Sequence, residues 1–169
     1  MIKIKLAKIV HLQRVKEIAN ACALDMINRK IFQWNENYPS IEIFEKDIEN
    51  KNLYVYENDS KILGCVVLSL AKDEEYKDVR WLTKDGNNLY VHRLAVDPKF
   101  QKKGIGRTLM DFAEEYARKS GLKSIRLDTF SRNERNNKFY KSRKYIQLDD
   151  VYFINQSEYP FHCYEKILD

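Results

Sequence analysis

The chain is short of the features that mark secreted, membrane-spanning or metal-dependent proteins. Its three cysteines, Cys22, Cys65 and Cys163, are odd in number and widely spaced. No Cys-x-x-Cys pair occurs, so neither a disulfide framework nor a zinc site is expected, and the thiols read as reduced core residues of a cytoplasmic protein. The N-terminus alternates apolar and basic residues, unlike the continuous apolar stretch of a secretion signal. The longest apolar run, Ile62 to Ala71, is broken by Gly64 and Ser69 and is about half the ~20 residues that a membrane helix needs. There is no internal repeat and no low-complexity segment. No metal ligand set and no membrane partner are expected.

What is present reads as one domain over residues 1–169, long enough for a substantial core. The formal net charge is +5, but 25 acidic residues are interleaved with the basic ones. A mixed, solvated surface follows, compatible with an anionic ligand. A nucleic-acid partner is not expected: no recognition motif is present, and the basic residues gather at one glycine loop, not along a stripe.

Ile2, Ile4 and Leu6 alternate with lysines, which predicts a half-buried first strand. From Leu12 to Asn28 the spacing turns helical, with Leu12, Val15, Ile18, Ala19, Cys22 and Met26 on one face. Residues 31–39 are aromatic, carry Pro39 and have no period, so they read as a loop; Ser40 is a candidate N-cap for a short helix to Asn50. Leu53–Tyr56 and Ile62–Leu70 read as strands joined at Asn58-Asp59-Ser60-Lys61. Residues 72–87 are polar apart from Val79, Trp81 and Leu82 and read as a surface loop. Strands over Leu89–Val96 and Ser124–Phe130 flank a helix that Gly121 can end in the left-handed conformation, and this strand–helix–strand unit should carry parallel strands. A helix over Asn133–Ser142 and strands over Tyr145–Ile154 and Tyr159–Leu168 complete the chain. The order β-α-α-β-β-β-α-β-α-β-β makes an α/β domain with a mixed sheet.

The stretch 88–120 carries the chemistry. Its helix is buried on one side, with Leu109, Phe112, Ala113, Tyr116 and Ala117 at i, i+3, i+4, i+7 and i+8. Before it stand Gly104 and Gly106 among Lys102, Lys103 and Arg107. Glycine lets an anion approach the backbone, the first helical N–H groups lack partners, and the dipole is positive at that end. The combination suits a phosphate or diphosphate; the alternative is a solvated, glycine-rich helix start. A Walker loop would need Lys-Ser/Thr where Arg107-Thr108 stands. A dinucleotide fingerprint would need a third glycine at Leu109 and a loop that leaves the strand at once, although Asp128 does fall where the ribose acid would.

Gln101-Lys102-Lys103-Gly104-Ile105-Gly106 resembles the Gln/Arg-x-x-Gly-x-Gly/Ala segment of the GNAT superfamily of N-acetyltransferases. Leu94-Ala95-Val96-Asp97-Pro98 resembles the strand end before that loop, and Asn133, Asn136 and Tyr140 resemble the family's fourth-helix pattern, with Asn136 in place of the usual alanine. Lys144-Tyr145 stands where the family has Gly-Phe. The resemblance implies a single-domain, GNAT-like twisted mixed sheet with helices on both faces. It implies that acetyl-CoA is the acyl donor. Leu94, Ala95 and Val96 would line the pantetheine arm, with Asn133 reaching it. Gln101, Lys102, Lys103, Gly104, Ile105, Gly106 and Arg107 would hold the diphosphate. Tyr140 would protonate the leaving thiolate, and its ordinary pKa near ~10 keeps it protonated at neutral pH. Trp34 and Tyr38 would wall the acceptor site; the alternative for both is core packing.

The attacking amine must lose a proton, which needs a base in reach. His92 is the first candidate, since imidazole titrates near ~6.5 and a regular pleat puts it on one face with Tyr90 and Leu94. Asp128, Glu165 and a water relay are the alternatives. The expected activity is direct acetyl transfer to a primary amine of a small molecule. A non-catalytic coenzyme-A-binding module, or acetylation of a protein or peptide amine, is the alternative. A homodimer is compatible with this reading.

Overall fold

The computed structural model describes residues 1–169. The elements are β1 (Ile2–Leu6), α1 (Leu12–Asn28), α2 (Ile41–Glu49), β2 (Leu53–Asn58), β3 (Lys61–Ser69), β4 (Asn88–Val96), α3 (Ile105–Lys119), β5 (Ser124–Phe130), α4 (Glu134–Ser142), β6 (Ile146–Val151) and β7 (Phe161–Ile167). They follow the expected order. The strands form one seven-stranded sheet in the order β1-β2-β3-β4-β5-β7-β6. The β4–β5 pair is parallel, as a strand–helix–strand unit requires, while β1–β2, β2–β3, β5–β7 and β6–β7 are antiparallel. No helix is long and apolar enough to cross a membrane.

The chain divides into two compact units, Met1–Leu68 with His92–Ala113, and Ser69–Val91 with Glu114–Asp169. In the first, the stripe read from α1 is buried: Val15, Ile18, Ala19, Cys22 and Met26 join Phe44, Leu53, Val55, Cys65, Val67 and Ala95 in one cluster. Ser40 caps α2 as expected, its Oγ accepting from the Ile43 amide at 3.2 Å. Asp59 and Ser60 both take positive φ, +48° and +63°, the pair that matches a tight hairpin to strand twist. Gly64 is required by space. A Cβ there would stand 2.8 Å from the Ala95 carbonyl oxygen and 3.3 Å from Leu109, so only glycine lets β3 pass this close to β4 and α3.

In the second unit two helices end by the same device with different residues. Gly121 takes φ +70° after α3, and the Leu122 amide reaches back to the Ala117 carbonyl at 3.0 Å. Lys144 takes φ +67° after α4, and the Tyr145 amide donates to the Tyr140 carbonyl at 3.1 Å. A lysine therefore fills a position that glycine takes without steric cost.

Residues 72–87 differ from the surface loop expected of them. Glu74–Tyr76 form a short 3-10 turn, and Tyr76 is fully buried. One aromatic inside a charged run has no periodic partner, so nothing in the local pattern marks it as core. The last two strands are shorter than expected, Ile146–Val151 and Phe161–Ile167. The residues between them carry exposed Tyr152 and Ile154.

Candidate active site

The turn before α3 is a backbone device. Asp97 closes its start: its Oδ1 accepts from the Lys99 amide at 3.0 Å, and its Oδ2 takes Arg14 Nη2 at 2.6 Å. Lys102 and Gly104 both hold positive φ, +63° and +82°, and a Cβ on Gly104 would meet nothing within 4 Å. Open space on that side leaves room for a ligand against the backbone. The Thr108 amide is the first to find a partner along the chain, the Gly104 carbonyl at 2.9 Å. The preceding amides of Ile105, Gly106 and Arg107 are the orphan donors of the helix start. Lys102, Lys103 and Arg107 are exposed around them. These residues fit a diphosphate: donors, positive dipole and full cations converge where no side chain intervenes.

Gln101 plays a part that the sequence did not reveal. Its Nε2 donates to the Val96 carbonyl at 3.0 Å, and Cys22 Sγ donates to the same oxygen at 3.1 Å. That oxygen is engaged within the protein. The Asp97 amide donates to the Leu63 carbonyl at 2.9 Å, so by strand alternation the Val96 N–H points away from β3.

His92 does not lie in a regular pleat. Arg93, the next residue, has φ +48°, which breaks the alternation that would have put His92 on one face with Leu94. Burial and the neighbouring Arg93 cation push the imidazole down to about 3, so His92 is neutral at physiological pH. Trp34 is 7% exposed and belongs to the core cluster, with Tyr38 packed against it. The Tyr38 hydroxyl accepts from Arg93 Nη1 at 3.5 Å.

Tyr140 stands on α4 in a nest of rings, with centroids at 5.2 Å from Phe139, 5.8 Å from Tyr145 and 5.9 Å from Tyr164. It is 6% exposed, and burial, helped by the Asp128 charge, raises its phenol well above the usual value. The phenol therefore keeps its proton at neutral pH. Asn133 is the N-cap of α4, its Oδ1 accepting from the Asn136 amide at 3.1 Å. Asn136, where the family pattern has a small residue, sends Nδ2 to Thr129 Oγ1 at 3.3 Å. Tyr164 fixes the next turn by donating to Asn137 Oδ1 at 2.5 Å.

Asp128 is the residue whose setting sequence reasoning could not supply. The phenol of buried Tyr76 donates to its Oδ2. Tyr76 in turn meets Trp81 edge-on at 5.3 Å and lies tilted against Tyr90 at 5.9 Å. Beneath this segment lies a buried ion pair, Arg126 Nε to Glu165 Oε1 at 3.1 Å, both side chains fully buried. Arg126 also binds Asp85 at 2.6 Å and lies 4.6 Å under the Trp81 ring. Glu165 accepts from the Leu82 amide, Thr83 and Ser124, each at 2.5 Å. With three donors on Oε1 and one on Oε2, Glu165 is a strap anchor. Those bonds hold its carboxyl below the usual range against the cost of burial.

The chain is similar to known acetyltransferases. A family model described as Acetyltransferase (GNAT) family matches residues 13–145. The uncharacterized N-acetyltransferase YesJ of Bacillus subtilis is 28% identical over 121 residues, 70% of this chain and 63% of that protein. An uncharacterized N-acetyltransferase encoded in the pepI 3′ region of Lactobacillus delbrueckii subsp. lactis is 28% identical over 60% of this chain and 55% of its own length. The chain thus matches somewhat over half the length of these curated relatives. A GNAT-family acetyltransferase from Streptococcus agalactiae shares the fold with a TM-score of 0.81 at 18% identity, covering 99% of this chain and 96% of that one. The PaiA N-acetyltransferase of Thermoplasma acidophilum, crystallised with coenzyme A, superposes with a TM-score of 0.72 at 20% identity over 99% of both chains.

Proposed function

The chain belongs to the acetyltransferase (GNAT) family, and from that premise we propose that residues 1–169 act as one domain that moves an acetyl group from acetyl-CoA directly to a primary amine of a small molecule. The observation that carries this reading is the turn before α3, where Lys102 and Gly104 in the left-handed region bare three helix-start amides among three cations. The coenzyme A bound to the Thermoplasma relative supports the choice of donor.

When bound, acetyl-CoA supplies the thioester that the amine attacks. The amides of Lys102 to Arg107 hold the diphosphate end, and Leu94 to Val96 offer backbone groups to the pantetheine arm. The Val96 N–H is the donor for the oxygen that gains charge during attack, a contact typically worth ~3 kcal/mol. Asn133 orders the start of α4 and sets the register of Tyr140, seven residues on. Tyr140 gives its proton to the departing sulfur.

Electrostatics favours Asp128 over His92 as the acceptor of the amine's proton. An incoming ammonium is drawn to a carboxylate, and this one already lies within the field of Tyr140 and is oriented by Tyr76. Burial, more than the neighbouring Arg93, pushes the His92 imidazole down to about 3 and makes it a poor base. The amine attacks in its neutral form, after the ammonium has passed one proton to water; its nitrogen becomes acidic as the bond to carbon forms, so a carboxylate suffices to take the second proton.

The test is thiol release from acetyl-CoA with a panel of amino acids, polyamines, amino sugars and peptides. Tyr140→Phe should lower turnover ~10- to 100-fold with acetyl-CoA affinity little changed. Normal turnover of that variant removes the acid role. Acetyl-CoA binding without thiol release for any amine would leave a coenzyme-A-binding module instead of an enzyme.

A further inference from the structure

Arg93 lies inside β4 with φ +48°, a conformation that a residue with a Cβ holds only when its surroundings compel it. The compelling contacts are visible. Arg93 Nε donates to Asp47 Oδ2 at 2.7 Å and Nη2 to Oδ1 at 2.8 Å, a two-pronged pair that ties the strand to α2. The two side chains are 15% and 9% exposed, so water screens the pair little. On the backbone side, Cys65 Sγ donates to the Arg93 carbonyl at 3.7 Å. Three residues on, Cys22 and Gln101 both hold the Val96 carbonyl. The segment Arg93–Val96 is therefore gripped at both ends, by side chains from α1, α2, β3 and the loop.

We propose that the Asp47–Arg93 pair is a latch that keeps β4 on its kinked path, so that the backbone groups of Leu94 and Val96 stay turned toward the donor. Asp47, on a helix and outside every motif of the loop, is thereby a positioning residue for acetyl-CoA. This rests on the donor site argued above. A pair that merely fastens α2 to the sheet would leave donor affinity independent of the backbone conformation at position 93.

Two double variants separate these cases, with stability followed by thermal melting and acetyl-CoA affinity by titration calorimetry. Asp47→Leu with Arg93→Met removes both charges at similar volume, an exchange that buried pairs usually survive. Asp47→Leu with Arg93→Gly also removes the latch, but glycine takes φ +48° without steric cost. The methionine variant should bind acetyl-CoA about tenfold more weakly than the natural protein, the scale of the strain it can now relax. The glycine variant should bind more tightly than the methionine variant. Equal affinity of the methionine variant and the natural protein, or equal weakness of the two variants, overturns the latch alone. Absence of acetyl-CoA binding by the natural protein overturns the donor site and the latch together. If the double variants do not fold, Asp47→Asn keeps size while losing charge. It should raise the KM for acetyl-CoA more than it changes kcat, and an unchanged KM overturns the latch.

Discussion

The turn before α3 and the cluster around Tyr140 are built in opposite ways. The turn is exposed and made of backbone: two residues with positive φ, a run of orphan amides and exposed cations at the rim. The cluster is buried and made of side chains: a phenol among rings, a carboxylate held by another phenol, and a desolvated ion pair below. A backbone device depends on few residues and loses ligand, not fold, when one is changed. A buried polar cluster shares its partners, so a single truncation strands a charge. The contrast predicts that loop substitutions act on affinity and cluster substitutions on stability and proton transfer.

Glu165→Leu should have the largest effect. It leaves fully buried Arg126 without its buried carboxylate partner and should cost ~3–5 kcal/mol of unfolding free energy, read from urea titration. A loss below ~1 kcal/mol would show that Asp85 alone balances the cation, and the contrast would weaken. Gly104→Glu is the matching change in the turn. A negative charge against the helix start should weaken acetyl-CoA binding by ~100-fold, while side-chain strain at φ +82° lowers the melting temperature by only about 2–4 °C. Loss of fold instead would place the turn in the structural class.

Acid sharpens the comparison further. The His92 imidazole is pushed down to about 3 in the folded chain, against ~6.5 when unfolded. The unfolded chain takes up the proton first, so this contribution is complete above ~6.5 and falls away as the pH drops toward 3. His92→Gln should therefore show a shallower decline of melting temperature between pH ~6.5 and ~4 than the natural protein. Identical slopes would mean that His92 is readily protonated where it stands. The smallest effect is expected at the end of α4. Lys144→Gly removes left-handed strain at φ +67° and should stabilise by ~0.5–1 kcal/mol, partly offset by glycine's freedom in the unfolded chain. A loss of stability would show that the Lys144 side chain contributes more than its backbone costs.

These two regions were unequally legible. The turn is contiguous, and its chemistry follows from residue types at fixed spacing, so Gly104, Gly106 and the cations could be named from the string alone. Helix boundaries were legible for the same reason: the stripe of α1, the Ser40 cap and the Gly121 stop are local. The cluster was only half legible. Tyr140 and Asn133 stand out by their resemblance to the family's fourth-helix pattern, but Tyr76 reaches Asp128 across 52 residues and carries no periodic mark. Position 93 shows the limit best. In sequence it is one polar residue in an alternating strand; in the fold it breaks the alternation, and with it the expectation for His92.

The order of elements, the buried stripes and the glycine turn before α3 were determined by the sequence itself, because propensity, periodicity and capping act over a few neighbouring residues. Tertiary structure decided which partners each carboxylate takes. Glu165 is consumed by four donors, Asp47 by Arg93, and Asp128 is set beside Tyr140. Those outcomes depend on desolvation and on partners brought together from distant segments, and neither quantity exists until the chain has folded.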